Sequence, residues 1–514
     1  MRTENSIKNS VVAVVSNVFI MALGFAVQTV FVKILGEEYL GVNGLFNNIV
    51  SMLAIVELGI GPAIVSNLYK PLATNDTEQI KSLLRYYRNC YNVIGVLVFV
   101  IGMLIMPFLK FFVKTTITFE NFGGIYLIFF LFILDAAFSY FYSYKRSIIQ
   151  ADQKNRIINI THLICYTVMI GLQILILLLT GNYILFLVIR IILRVLENLI
   201  LSAVVDKIYG YLKGPAQKIQ KQEKEGIYTK IKGLIYHKIS SYIVLGTDNI
   251  IVSAFLGVGL VGLYSNYYLI INSLYILYCQ IFSSLTASVG NLIVTESKDA
   301  SYNITKKIMF LNFWIYGFSA AALYCMMTPF ITLWLGEKFL LSNSVLIILV
   351  VNFYMLGMRS CVGTFKEAAG IFYEDRFIPI IESVVNIIAS IICVKFFGMF
   401  GVFFGTFISS LIVVFYSLPH FVFKKVFDKS KMDYYKLYFK YVIVAVIGVV
   451  LAALVYSLIG SILPESKLLS FIVAAFVSAV IPNAVFVILL YKTEEFEYFK
   501  NMALSKIRKV VTKK

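Results

Sequence analysis

Residues 157–205 read IINITHLICYTVMIGLQILILLLTGNYILFLVIRIILRVLENLILSAVV. Two apolar runs, 157–180 and 183–205, flank a break at Gly181-Asn182. An apolar run of about 20 residues crosses the hydrocarbon core of a bilayer as a helix. In that form it satisfies its own backbone hydrogen bonds, which lipid cannot do. Neither run alternates apolar and polar residues as the strands of an outer-membrane barrel do. The stretch reads as a hairpin of two transmembrane helices, and it sets the class of the fold.

Outward from this hairpin the same signal recurs along nearly the whole chain. Fourteen spans are predicted, at 10–35, 43–69, 88–109, 122–144, 157–180, 183–205, 235–256, 262–294, 308–334, 343–365, 377–397, 400–423, 439–463 and 468–491. The composition agrees: 60% of the residues are hydrophobic and 14% charged, with a mean hydropathy of +0.86. A water-soluble chain carries about 25% charged residues. The expected fold class is an all-α polytopic membrane protein of about 14 transmembrane helices. The first apolar run is too long for a signal peptide, and no small-x-small cleavage site follows it.

The charges orient the chain. Of the 45 Lys and Arg residues, three lie inside spans (Arg190, Arg194, Arg359) and six fall in one alternate set of loops (Lys33, Lys110, Lys114, Lys338, Lys395, Lys467). All the others fall in the set that includes both termini. Cytoplasmic loops carry such an excess, so both termini are predicted to be cytoplasmic. The net charge of +18 then follows from topology and from attraction to anionic headgroups. The basic stretches 207–232 and 492–514 hold no nucleic-acid-binding motif, and no nucleic-acid partner is expected. The six cysteines (Cys90, Cys165, Cys279, Cys325, Cys361, Cys393) lie in or at the ends of spans without metal-ligand spacing, and read as packing residues. The three histidines are scattered, so no metal site is predicted. His162, near the start of the fifth span, reads as a polar packing contact.

The polar segment from Asp206 to Lys232 divides six spans from the eight that follow, and Lys424 to Lys440 sets off the last two. The predicted plan is an N-lobe (1–206), a cytoplasmic linker (207–233), a C-lobe (234–423), and a final pair of spans with a basic tail (424–514). The lobes share a motif. Leu35-Gly36-Glu37-Glu38-Tyr39-Leu40-Gly41-Val42 and Leu256-Gly257-Val258-Gly259-Leu260-Val261-Gly262-Leu263 both read L-G-x-x-x-[LV]-G-[VL], each after the first helix of a lobe. Gly398-Met399-Phe400-Gly401-Val402 is a looser echo. Glycine permits positive φ and close backbone approach there. Six spans per lobe make the lobes parallel repeats about an axis along the membrane normal, as in secondary transporters with substrate held between lobes. The loops are too short for an external catalytic domain or an ATP-binding domain. No G-x-x-x-x-G-K-[ST] loop is present, and no catalytic constellation is visible, so no enzyme is expected.

Each ionisable group inside the membrane is a functional candidate, because its burial is costly. Arg190, Arg194 and Glu197 fall at i, i+4 and i+7 on one helix face. With Arg359 from the other lobe they would make a cationic cavity suited to a pyrophosphate group, which guanidinium binds bidentately. The alternative is local pairing of Arg194 with Glu197 and snorkelling of Arg359. Glu57, in Glu57-Leu58-Gly59-Ile60-Gly61-Pro62, is a candidate for binding H⁺ or Na⁺ beside a helix break, or else a structural pair. Asp135, Asp248 and Glu197 are further cation-coupling candidates. Glu382 falls close to the cytoplasmic end of its span, where solvation is expected.

At these residues the chain resembles the bacterial polysaccharide transporter family. These are the oligosaccharide flippases of the multidrug/oligosaccharidyl-lipid/polysaccharide exporter superfamily. The resemblance is carried by Lys33 to Gly41 through Glu57-Leu58-Gly59-Ile60-Gly61, by Ala151-Asp152-Gln153-Lys154, and by Thr247 to Ser253. Gly262-Leu263-Tyr264-Ser265-Asn266-Tyr267 and Phe365 to Gly370 through Glu374-Asp375-Arg376 continue it. It covers residues 1–423 and is looser beyond. It implies two six-helix lobes around a central cavity that opens alternately to each side. It also implies transfer of an undecaprenyl-diphosphate-linked oligosaccharide to the outer leaflet of the bacterial cytoplasmic membrane, for capsule, O-antigen or related glycans. H⁺ or Na⁺ is the candidate coupling ion and no other cofactor is implied. Membrane lipids, glycosyltransferases and a polysaccharide polymerase are the expected partners. A lipid II flippase and a cation-coupled multidrug exporter of the same superfamily are the nearest alternatives, and the three intramembrane arginines argue against the second. A membrane glycan polymerase or ligase is expected to carry a large external loop, which this chain lacks.

Overall fold

A computed structural model describes residues 2–53, 57, 60–115, 124–141, 143–215, 217, 219, 224, 225, 227, 246–371, 374–461 and 466–511. Among these residues the secondary structure is helical throughout, with no strand. The chain forms two compact units, residues 1–265 and 266–514. Most of the predicted linker 207–233 and the start of the predicted span 235–256 lie outside the described residues.

The first unit contains α1 (Arg2–Leu35), α2 (Glu37–Leu53), α3 (Ile60–Ala73), α4 (Thr77–Ile105), α5 (Gly124–Tyr140), α6 (Ser143–Ala151), α7 (Asn155–Thr180), α8 (Tyr183–Ile208), α9 (246–256) and the start of α10 (Val258–Thr295). The second contains the rest of α10, α11 (Lys298–Trp334), α12 (Asn343–Ala368), α13 (Ile378–Ser409), α14 (Phe415–Val422), α15 (Lys431–Gly460), α16 (Lys467–Leu490) and α17 (Glu494–Val511). Nine segments of the described residues are long and apolar enough to cross a membrane, or ten if α5 and α6 count as one bent span. The remaining predicted spans have identifiable positions. The run 377–423 lies in one 50-residue segment, Ile378–Phe427, broken where Gly398 adopts φ 56° and ψ −135°. α8 carries Arg190, Arg194 and Glu197 at its middle. The span 43–69 is divided between α2 and α3, with Leu58 and Gly59 outside the described residues.

Local chemistry sets the helix ends. The hairpin at Gly181-Asn182 closes because Gly181 takes a left-handed φ of 60°, while Asn182 Oδ1 accepts from the Ile184 and Leu185 amides. These contacts stop α7 and cap α8. After Gly398, small residues let the returning chain lie against its own helix. Ser390 Oγ donates to the Val402 carbonyl at 2.9 Å, and a Cβ at Gly405 would lie 2.4 Å from the Ser390 amide nitrogen. Such close approach is how transmembrane helices associate without a hydrophobic driving force. In the second unit α11 is central, packed by α12, α15 and α16. Asn312, fully buried, donates to the Gly357 and Met358 carbonyls of α12.

The repeated glycine motif packs on itself. Gly36 and Gly257 both have positive φ, 88° and 103°, and begin α2 and α10. A Cβ added at Gly41 would lie 1.9 Å from the Val258 carbonyl oxygen, and one at Gly262 would lie 1.9 Å from the Glu37 carbonyl oxygen. The two backbones cross with no room for a side chain on either. Adding one forces a shift, which costs about 1–3 kcal/mol in a packed interior. Gly41→Ala and Gly262→Ala are therefore expected to lower the unfolding temperature of the purified protein in detergent. The double variant is expected to lose less than the sum, because one separation of the helices relieves both clashes. Gly171→Ala, in open space on α7, should leave the temperature unchanged or raise it. An additive double variant would refute the shared contact.

Candidate functional site

The described part of the first unit contains a polar cavity of about 690 Å³. Helical periodicity builds its walls. Gly61, Val65, Ser66 and Tyr69 are on one face of α3, and Ser143, Arg146, Ser147 and Gln150 on one face of α6. Tyr91 of α4, Ser139 and Tyr140 of α5, Arg194 of α8 and Glu57 complete the lining. α6 departs from the sequence-based expectation. Its segment is too polar to read as part of a span, yet it continues α5 after a bend of 43°. Lys145 fixes it to α8 by bonding Ser202 Oγ at 2.7 Å and Asp206 Oδ1 at 2.6 Å.

Two ionic clusters back the cavity. In the first, Asp135 of α5 is 5% exposed and lies between two guanidiniums. Arg190 Nε is 2.8 Å from Oδ2, and Arg194 Nε is 2.6 Å from Oδ1. Arg190 also donates to Asn47 Oδ1 at 3.0 Å and lies over the Phe132 ring. One carboxylate against two guanidiniums leaves one positive charge in excess, and Arg194 presents it to the cavity. In the second cluster Arg146 Nη2 donates to Glu197 Oε1 and Asn198 Oδ1, both at 2.8 Å, and His162 Nδ1 is 3.2 Å from Glu197 Oε2. Arg194 and Glu197 share a helix face, as the spacing predicted, but they take different partners. The cluster residue that sequence reading missed is Arg146. A signal for it is in the sequence: Ser139, Ser143, Arg146 and Gln150 recur at intervals of three or four residues, running past the predicted end of the fourth span at 144 into the loop beyond it.

The other predicted site residues lie as follows. Glu57 lines the cavity, where the Tyr91 hydroxyl is 3.4 Å from Oε1, and its carboxylate sits where a Cβ on Gly61 would be 3.0 Å away. Asp248, in α9, is half-buried between buried Thr247 and Asn249. Arg359 belongs to the second unit, on α12, with Nη1 3.2 Å from Glu382 Oε1. Glu382 is buried in this pair, which differs from the solvated position expected for it: α13 starts at Ile378 and turns the carboxylate onto α12. The second unit also holds an almost wholly apolar groove of about 620 Å³, walled by Val350, Tyr354, Phe407, Phe415, Val442 and Val446 among others.

The fold is similar to that of solved membrane transporters. A lipid II flippase, MurJ, in its inward closed conformation superimposes with a TM-score of 0.67 at 16% identity, over 93% of this chain and 100% of that one. An inward-facing multidrug transporter of the MATE family gives 0.60 at 14% identity, over 78% and 95% of the two chains. A MATE transporter from Vibrio cholerae gives 0.56 at 12% identity, over 80% and 93%. A match over 93% of the chain necessarily takes in part of the last two spans, α15 and α16. No protein-family model matches the sequence, and no curated protein matches it.

The Asp135 bridge yields a stability prediction. Breaking a buried ion pair by removing one partner costs about 3–5 kcal/mol. Asp135→Asn strands two guanidiniums and is expected to lower the unfolding free energy in detergent by about that amount. Arg194→Leu leaves Asp135 paired with Arg190 and should cost clearly less. Equal losses would show that the carboxylate is not shared.

Proposed function

We propose that this protein is a flippase that moves an undecaprenyl-diphosphate-linked oligosaccharide across the bacterial cytoplasmic membrane for cell-surface polysaccharide assembly. The observation that carries the reading is the polar cavity with two guanidiniums at its wall, in a chain that is 60% hydrophobic. A diphosphate is a fitting guest. Arg146 and Arg194 each offer further N–H donors in a planar fork, and guanidinium keeps its charge when water is excluded. Arg190 stands behind Arg194 and holds Asp135 in place. The serines on α5 and α6, with Gln150, supply donors and acceptors for sugar hydroxyls. The polyprenyl tail is apolar and stays in lipid.

Transfer proceeds by alternating access, with no covalent step. Cation binding at Glu57, which lines the cavity, or at Asp248 biases the return of the empty carrier, with H⁺ or Na⁺ as the coupling ion. A lipid II flippase is the second reading. The likeness to MurJ favours it, and the diphosphate chemistry is the same for both substrates. A multidrug exporter fits less well, because the guanidinium donors at the cavity wall suit an anionic guest.

Proteoliposomes holding a fluorescent undecaprenyl-diphosphate oligosaccharide test the reading. Wild type is expected to flip it. Arg146→Ala and Arg194→Ala should each lose about tenfold or more, since a hydrogen bond to a charged group contributes about 1.5–3 kcal/mol. Arg190→Ala should lose activity together with stability. Loss in Arg359→Ala would place the second unit in the path of the diphosphate, and wild-type activity there would confine the anion site to the first unit. Preference for lipid II over the oligosaccharide would select the second reading. Efflux of a cationic dye without lipid flipping would overturn both.

A further inference from the structure

The His162 imidazole has no role in the transfer described above. It projects from α7, 44% exposed, and shares the Glu197 carboxylate with Arg146. One of these partners is always cationic, and the other is cationic only when protonated. Arg146 also lines the polar cavity. We propose that His162, Glu197 and Arg146 form a proton-linked anion site. A proton taken up by His162 engages Glu197 and releases the Arg146 guanidinium to the anion in the cavity. The inference rests on the flippase reading and specifies how its anion site is charged.

The balance of charge supports it. Among the described residues, the charged groups gathered here are Arg194 and Glu197 from α8, Arg146 from α6 and Asp135 from α5 with its second partner Arg190. Glu57 lies across the cavity. On α7 itself the titratable neighbours are Tyr166, 5.6 Å away ring to ring, and Cys165. α1 packs on α7, and its only charged side chain among those described is Lys33, at the far end. With His162 neutral, three guanidiniums face three carboxylates and the site is neutral as a whole. A diphosphate diester brings two negative charges. Uncompensated charge away from water is expensive, so the anion draws in a proton. His162 is the one imidazole in this cluster, and imidazole is the side chain whose charge changes nearest neutral pH.

The sign follows from linkage. Bound anion stabilises protonated His162, so binding takes up a proton. Affinity is therefore greatest with His162 protonated and falls as pH rises.

The test is titration calorimetry on the full-length protein in nanodiscs. The probe is uridine diphosphate N-acetylglucosamine, a soluble sugar diphosphate diester that does not itself titrate between about pH 5.5 and 8. Buffers of different ionisation enthalpy report protons taken up on binding. Wild type is expected to take up a fraction of a proton near neutral pH and to bind about tenfold tighter at about pH 5.5 than at about pH 7.5. His162→Gln should abolish both effects, and Gly171→Ala, in open space on α7, should keep them. Glu197→Gln should bind without pH dependence, because Arg146 is released at every pH. Tight binding by wild type with no proton uptake, or uptake that survives His162→Gln, overturns this inference and leaves the flippase reading standing. Absence of binding at either pH, with a cationic dye bound instead, overturns both.

Discussion

Hydrocarbon offers neither hydrogen bonds nor counter-charges, and that constraint organises the whole structure. It forces the backbone into helices, which satisfy their own amides and carbonyls. It also forces each ionisable side chain toward a partner within the protein. Asp135 meets two arginines, Glu197 meets Arg146 and His162, and Arg359 meets Glu382. Each pair joins two different helices. The same charges that make a chemistry possible therefore also fix α5, α6, α7 and α8 against one another.

The sequence showed the helices far more fully than it showed the partners. Span positions follow from apolar run length, a local property, so α7, α8, α12 and α16 fall close to their predicted ranges, while α11 and α15 begin well before theirs, at Lys298 and Lys431. α6 was missed because its polar composition matches a loop, and the tie from Lys145 to Asp206 that fixes it to α8 is not local in sequence. The charges of Arg190, Arg194 and Glu197 were legible, and so was their common face. Their partners were not, because Asp135 and Arg146 lie more than a helix away in the chain and nothing local points to them. Glu57 was legible from its neighbours, and the cavity confirms only that it lines a polar space.

A site built this way separates holding from reading. Asp135 holds Arg194, and Asn198 and Glu197 hold Arg146. These ties leave guanidinium donors turned to the cavity at fixed positions, with the rotamer entropy of long side chains already spent. The serines on α5 and α6 add weaker, adaptable groups alongside. Strong fixed donors suit the part of a substrate that never varies, and hydroxyls suit the part that differs between glycans.

The crossing of the two glycine motifs has a further consequence. Glu37 of one copy meets Gly262 of the other, and Val258 meets Gly41 in the reciprocal arrangement. Each partner occupies the equivalent place in its own motif. Reciprocity of this kind is what a twofold axis imposes on two identical subunits. The contact thus has the form of an isologous homodimer interface, now written twice within one polypeptide.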